Sequence, residues 1–176
     1  GFAQNFLESG IKPDKTYVLL AHPTVQNLET VHFLLQNNIL KLSDAEFIGV
    51  YSDEESYDYN KSVNLIKKPE MSRFHLQKIE GKESPEKLYH PNEWTKTFKS
   101  LFDHSVGIFF FGGPDIQPEI YGQKNLYSDV TDPNRHSFEL SFLFHLLGGK
   151  QNEQFVSFLK ERPGYFVSGF CLGLQS

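Results

Sequence analysis

Two short apolar runs and the segment between them constrain this chain more than anything else in it. Tyr17-Val18-Leu19-Leu20 and Phe47-Ile48-Gly49-Val50-Tyr51 are continuously apolar, without the alternation of a half-exposed strand. Each therefore reads as a strand buried on both faces. Ala21-His22-Pro23-Thr24 breaks the first run. From Val25 to Gln36, Leu28, Val31, His32 and Leu35 then recur at three- and four-residue steps, and Asn37-Asn38 closes the segment. That spacing is one face of a helix. Strand, helix, strand in this order is a βαβ unit, which requires parallel pairing and a right-handed crossover.

Further along, the pattern weakens and then returns. Asp53-Glu54-Glu55 reads as a solvated charged loop, Tyr57 to Lys68 as helical, and Arg73 to Ile79 as a strand. Gly81 to Pro91 is polar and turn-rich, either a surface excursion or a loop over a site. Asn92 to Phe102 places Trp94, Phe98, Leu101 and Phe102 on one helical face. Val106-Gly107-Ile108-Phe109-Phe110-Phe111 is a strongly apolar strand that runs straight into Gly112-Gly113-Pro114-Asp115. Asp132 suits an N-cap and Pro133 a first helical position, and the helix they open continues to a natural stop at Gly148-Gly149. On it Arg135 and Glu139 stand four apart, spaced to pair with each other. Gln151 to Lys160 reads as a short helical stretch. Arg162-Pro163-Gly164 leads into a last apolar strand, Tyr165 to Phe170.

The last strand ends in Gly169-Phe170-Cys171-Leu172-Gly173, and Cys171 is the only cysteine. Gly-x-Cys-x-Gly after an apolar strand has the form of a nucleophile elbow, a sharp strand-to-helix turn that lifts one side chain into the open. A Cβ at either glycine would press on the neighbouring backbone of such a turn. A helix starting after Cys171 would point its free N–H groups at the sulfur and favour thiolate. The elbow chemistry also needs an N–H donor from a second loop, and Gly112-Gly113 follows a strand of the same expected sheet. Bare backbone there can approach a ligand closely. The plainer readings are a small buried apolar cysteine and a strand-ending turn.

Totals exclude several classes. At 176 residues the chain is expected to form a single domain over its whole length. A net charge of −5 argues against an electrostatic grip on nucleic acid or an anionic membrane surface. No apolar run reaches transmembrane length. Seventeen phenylalanines and eight tyrosines point to an aromatic core. A lone cysteine allows no intrachain disulfide, and no His, Cys and Asp cluster has metal-ligand spacing. Gly1-Phe2-Ala3-Gln4 has no initiator methionine, and Phe-Ala-Gln resembles the end of a secretory signal, so export is left open beside simple processing.

Three separated motifs carry a resemblance. Gly112-Gly113-Pro114-Asp115-Ile116-Gln117-Pro118-Glu119-Ile120-Tyr121-Gly122, then Asp132 with Arg135 and Phe138-Glu139, then Gly169-Phe170-Cys171-Leu172-Gly173-Leu174-Gln175 resemble class I glutamine amidotransferase-like proteins. Within these the pattern is similar to the gamma-glutamyl-gamma-aminobutyrate hydrolase type, over Val106 to Gln175. The resemblance implies a flavodoxin-like three-layer α/β/α sandwich with a mainly parallel sheet. It implies hydrolysis of a small-molecule γ-glutamyl amide through a thioester, without a cofactor or metal. Cys171 would be the nucleophile, with the N–H groups of Leu172 and Gly113 as oxyanion hole. Gln175 and Gly112 would face the substrate. A cytoplasmic location and a homodimer also go with the resemblance. Alternatives are a non-catalytic relative that binds a small ligand, and a glutaminase subunit feeding ammonia to a synthase.

The chain departs from the family pattern at His136, where many relatives have aspartate, and at Leu172, where they have arginine. The family's general base is a histidine downstream of the cysteine, followed two residues later by a glutamate. All seven histidines here precede Cys171, so the sequence is expected to be a piece of a longer chain, cut just after the elbow. His22 and His136 are the two that could face the site region. Both read as surface or helix-end residues.

Overall fold

The computed structural model describes residues 4–111 and 132–170. In chain order its elements are α1 (Phe6–Ser9), β1 (Thr16–Ala21), α2 (Val25–Gln36), β2 (Ala45–Ser52), α3 (Asn60–Ile66), β3 (Phe74–Ile79), α4 (Thr95–Asp103), β4 (Gly107–Phe111), α5 (Pro133–Leu147) and β5 (Phe166–Phe170). The strands form one sheet in the order β3-β2-β1-β4-β5, and every neighbouring pair is parallel. Strand β1 lies at the centre. Its register runs Thr16↔Ala45 to Ala21↔Val50 against β2 and Val18↔Gly107 to Leu20↔Phe109 against β4.

The unbroken apolar runs are explained by what covers each face. Tyr17, Leu19 and Ala21 of β1 pack into one cluster with Phe98, Leu101 and Phe102 of α4 and Phe138, Phe142 and Leu146 of α5. Val18 and Leu20 face the other way, into a cluster with Leu28 and Val31 of α2 and Leu65 of α3. Helices therefore cover both faces, and the architecture is the flavodoxin-like α/β sandwich expected from the sequence. The core is aromatic: Phe98 stacks on Phe142 at 4.2 Å, and Trp94 and Phe138 meet it edge-on or tilted. Such pairs add to the burial of their area.

Gly49 of β2 has a steric reason. A Cβ there would lie 2.4 Å from Cβ and 2.7 Å from Cγ of Pro23, and 2.9 Å from Cδ2 of Leu76. The absent side chain lets the turn after β1 fold down on β2. Gly49→Ala is expected to lose about 1–3 kcal/mol by overpacking, read from urea unfolding. A loss below about 0.5 kcal/mol would mean that Pro23 can retreat.

Two departures from the expected elements have physical causes. The Gln151 to Lys160 stretch forms only two three-residue 3-10 turns, Lys150–Asn152 and Phe158–Lys160. Phe155 docks on Phe144 at 5.0 Å, Phe158 reaches Phe102 at 5.5 Å, and both rings pack on His145 of α5, so the segment is held by its contacts with the helices. Helix α1 has no counterpart in the sequence pattern. It covers the β3 edge: Phe6 stacks on His75 at 3.9 Å, and the Leu7 N–H donates to Gln77 Oε1. Covering an edge removes a template for unwanted pairing. The 81–91 excursion packs on α5, where the Ser141 hydroxyl donates to the Leu88 carbonyl. Among the described residues no helix is long and apolar enough to cross a membrane.

Candidate functional site

The chain lays down β2 and β3 on one side of β1, then β4 and β5 on the other. Where the order reverses, loops at the carboxyl ends of two adjacent strands diverge and leave a crevice. Here those strands are β1 and β4, and the first residue past β1 is His22. Its backbone is in the left-handed region, φ 55°, uncommon for a side chain of this size. Three hydrogen bonds hold it there. The His22 N–H donates to Val50 O at 3.0 Å, and its carbonyl accepts from Thr24 N and Asn27 Nδ2 at 2.8 Å each.

The imidazole is fully buried between two carboxylates. Nδ1 lies 3.1 Å from both oxygens of Glu55, and Nε2 lies 3.1 Å from Oε2 of Glu139. Glu55 also accepts from the Ser52 N–H at 3.0 Å and from the Tyr59 hydroxyl. A neutral imidazole can donate to only one of two ionised carboxylates, whereas the imidazolium donates to both. Burial alone would push the His22 pKa down. The charge of Glu55 and the hydrogen bonds to Glu139 and Glu55 outweigh it and hold the pKa above its usual value. For Glu139, burial pushes upward, but His22 and then Arg135 outweigh it and hold the carboxyl low. Burial, followed by Glu55, drives the Tyr59 phenol far up.

The amino end of α5 is tied to the same place. Asp132 caps the helix by accepting from the Arg135 N–H at 3.1 Å, and its other oxygen accepts from the N–H and hydroxyl of Ser56 at 2.8 and 2.9 Å. Burial raises the Asp132 pKa, but these bonds prevail and leave it below the ordinary value. Asn134 Nδ2 donates to the Glu54 carbonyl at 2.9 Å. Arg135 Nη2 donates to the carbonyl of Phe111, the last residue of β4, at 3.0 Å. Two loops, the end of β4 and a helix end thus form one hydrogen-bonded unit around the switch in strand order.

Several sequence expectations change here. His22 is not a surface residue, because two carboxylates from distant parts of the chain offset its desolvation. Asp53-Glu54-Glu55 is not simply a solvated loop, because the Glu55 side chain turns inward to His22 while Glu54 stays exposed. Arg135 and Glu139 do not pair with each other among the described residues: one reaches β4 and the other His22. His136 is half-buried, and burial lowers its pKa. With a carboxylate oxygen 3.1 Å from each ring nitrogen, both nitrogens of His22 are already occupied by partners. No group of three or more His, Cys, Asp or Glu side chains among the described residues is set to hold a metal.

Cys171, Leu172, Gln175, Gly112 and Gly113 lie outside the described residues. The strands leading to them are described. β4 and β5 are parallel neighbours in register from Gly107↔Phe166 to Phe111↔Phe170, and the rings of Phe111 and Phe170 stack at 5.4 Å. Gly169 is the last glycine before the turn, which itself lies outside the described residues. Among the described residues, the nearest atom to a Cβ built there is the Phe110 carbonyl oxygen at 4.0 Å. The His22, Glu55 and Glu139 cluster was missed in the sequence. Its one local signal is a histidine placed directly after a buried strand. No family model, no curated protein and no solved structure matches this chain in comparisons with known proteins.

Proposed function

We propose that this chain carries a cysteine-dependent hydrolase of γ-glutamyl amides, with Cys171 as nucleophile and the N–H groups of Leu172 and Gly113 at the oxyanion. The observation that supports this most is the parallel pairing that ends at Phe111↔Phe170. Gly112 directly follows one of these residues and Cys171 the other, on strands about 4.8 Å apart. Acyl transfer needs a nucleophile on one loop and a donor from another, and adjacent strand ends bring two such loops within reach. In the reaction the thiolate adds to the amide carbonyl, two N–H dipoles stabilise the oxyanion, and the C–N bond breaks as the amine takes a proton from water, which leaves a thioester. Water then releases glutamate. Each oxyanion donor is worth ~3 kcal/mol of barrier. His22 is not the base in this reading, since both its nitrogens are already occupied by carboxylates.

The test uses the full chain and a panel of γ-glutamyl anilides, with amine release as the readout. Cys171→Ser is expected to lower kcat/KM by at least about 10³-fold, as loss of a nucleophile does elsewhere. Iodoacetamide should alkylate the wild-type thiol faster near neutral pH than it alkylates free cysteine. Saturable binding of glutamyl compounds without amine release would instead make the protein a non-catalytic small-ligand binder.

A further inference from the structure

We propose that Arg135 is a positioning residue of the hydrolase inferred above, gripping the last carbonyl of β4 from a helix that His22 holds in place. The proposal rests on that hydrolase reading. The ladder between β1 and β4 runs only to Leu20↔Phe109, because the chain leaves β1 at His22. Two residues further, Phe111 is still paired with β5 on its other side. On the β1 side its carbonyl accepts from Arg135 Nη2 at 3.0 Å, in place of a ladder partner. Holding that carbonyl fixes the point and direction in which the chain leaves β4. The oxyanion donor assigned to Gly113 comes one residue later, within one Cα–Cα step of about 3.8 Å.

Arg135 can grip the strand end only if α5 cannot slide. Two carboxylates on the helix prevent this, and they bracket Arg135 in sequence. Asp132, three residues before it, is held by Ser56, and Glu139, four residues after it, is held by His22. Ser56 and Glu55 are neighbours on the loop after β2, and Glu55 holds the opposite side of the His22 ring. The helix is therefore clamped at both ends of its first turns to β1 and β2, and Arg135 transmits that position to β4. Support of this kind decides whether a site is held to fractions of an ångström.

The experiment compares Arg135→Ala and Arg135→Lys with the wild-type full chain, using γ-glutamyl anilide hydrolysis per folded chain. Arg135→Ala should lower kcat by about 10–100-fold with KM changed by less than about 3-fold, as a small misplacement near reacting atoms does. The alkylation rate of Cys171 should stay the same, and Arg135→Lys should recover part of kcat. Urea unfolding of each variant gives its folded fraction, and dividing kcat by that fraction removes any loss that comes only from unfolding. The carbonyl carbon resonance of Phe111 should move in Arg135→Ala, which reports the grip without any turnover. Unchanged kcat per folded chain in an active protein overturns the positioning role and leaves the hydrolase standing. A wild-type protein that releases no amine, with the Phe111 resonance still sensitive to Arg135→Ala, overturns the hydrolase reading and leaves the grip.

Discussion

His22→Ala is expected to lose about 3–5 kcal/mol of folding stability, measured by urea unfolding near neutral pH. The Glu55 side chain is 1% exposed, and the imidazolium is the cation that contacts it. Removing that cation leaves a desolvated carboxylate, which costs far more than the pair contributes relative to apolar substitutes. Adding Glu55→Gln in the same background should recover part of the loss, because a neutral amide is cheaper to bury. A loss of less than about 1 kcal/mol would show that Glu55 finds water or another donor once the ring is gone.

The pH dependence of that loss has a definite sign. A raised folded pKa means that the folded state binds the His22 proton more tightly than the unfolded state. The stabilisation is complete below the ordinary value of 6.5 and fades as pH climbs through the raised value. Glu139 acts in the opposite sense: its contribution is present above 4.5 and fades as pH falls through its lowered value. The pair is therefore strongest between the two. His136 and His145, which burial pushes down, add stability above 6.5 that is lost as pH falls. His145 is common to both proteins, and His22 is a lesser cause of the His136 shift than burial, Glu139 and Arg135, so the gap between wild type and His22→Ala should narrow as pH rises. A gap that widens with pH would mean that the ring is neutral when folded.

Phe98→Ala should be comparably damaging, at about 3–5 kcal/mol. Phe98 is fully buried, stacked on Phe142 at 4.2 Å and in contact with Trp94, Phe138 and His145. Its neighbours belong to α4 and α5, so the cavity would open at the seam between the two helices on that face. Rigid aromatic rings on all sides collapse poorly into a void, which puts the cost at the upper end. Phe33→Ala is the control: that ring is 60% exposed, and its removal should change stability by less than about 0.5 kcal/mol. Equal losses at the two positions would contradict the placement of the core.

The elements most legible in advance were those whose signal is local. The helix at about Val25 to Gln36 was anticipated because its apolar positions repeat with helical period, and the structure adds Thr24 as its cap. Asp132 and Pro133 marked the start of α5 by the chemistry of N-caps, and the Asp132 side chain makes the capping bond. Over Gln151 to Lys160 periodicity suggested a helix, and packing of Phe155 and Phe158 on α5 left two short turns instead. Helix α1, only four residues long, had too little pattern to read and exists because Phe6 and Leu7 have β3 to lie on.

Composition and hydrophobic period were enough to specify a parallel sheet covered on both faces, since burial along a strand or a helix is written in residues close together in the chain. The switch-point cluster is of another kind. His22 and Glu139 are 117 positions apart, and His22 and Glu55 are 33 apart. Taken alone, each of these side chains belongs at the surface, because an isolated charge is too costly to desolvate. They become buried partners only after β4 crosses to the far side of β1 and α5 lies over the gap. The energy that holds them inside is mutual, so it cannot be read from any one of their neighbourhoods in the sequence.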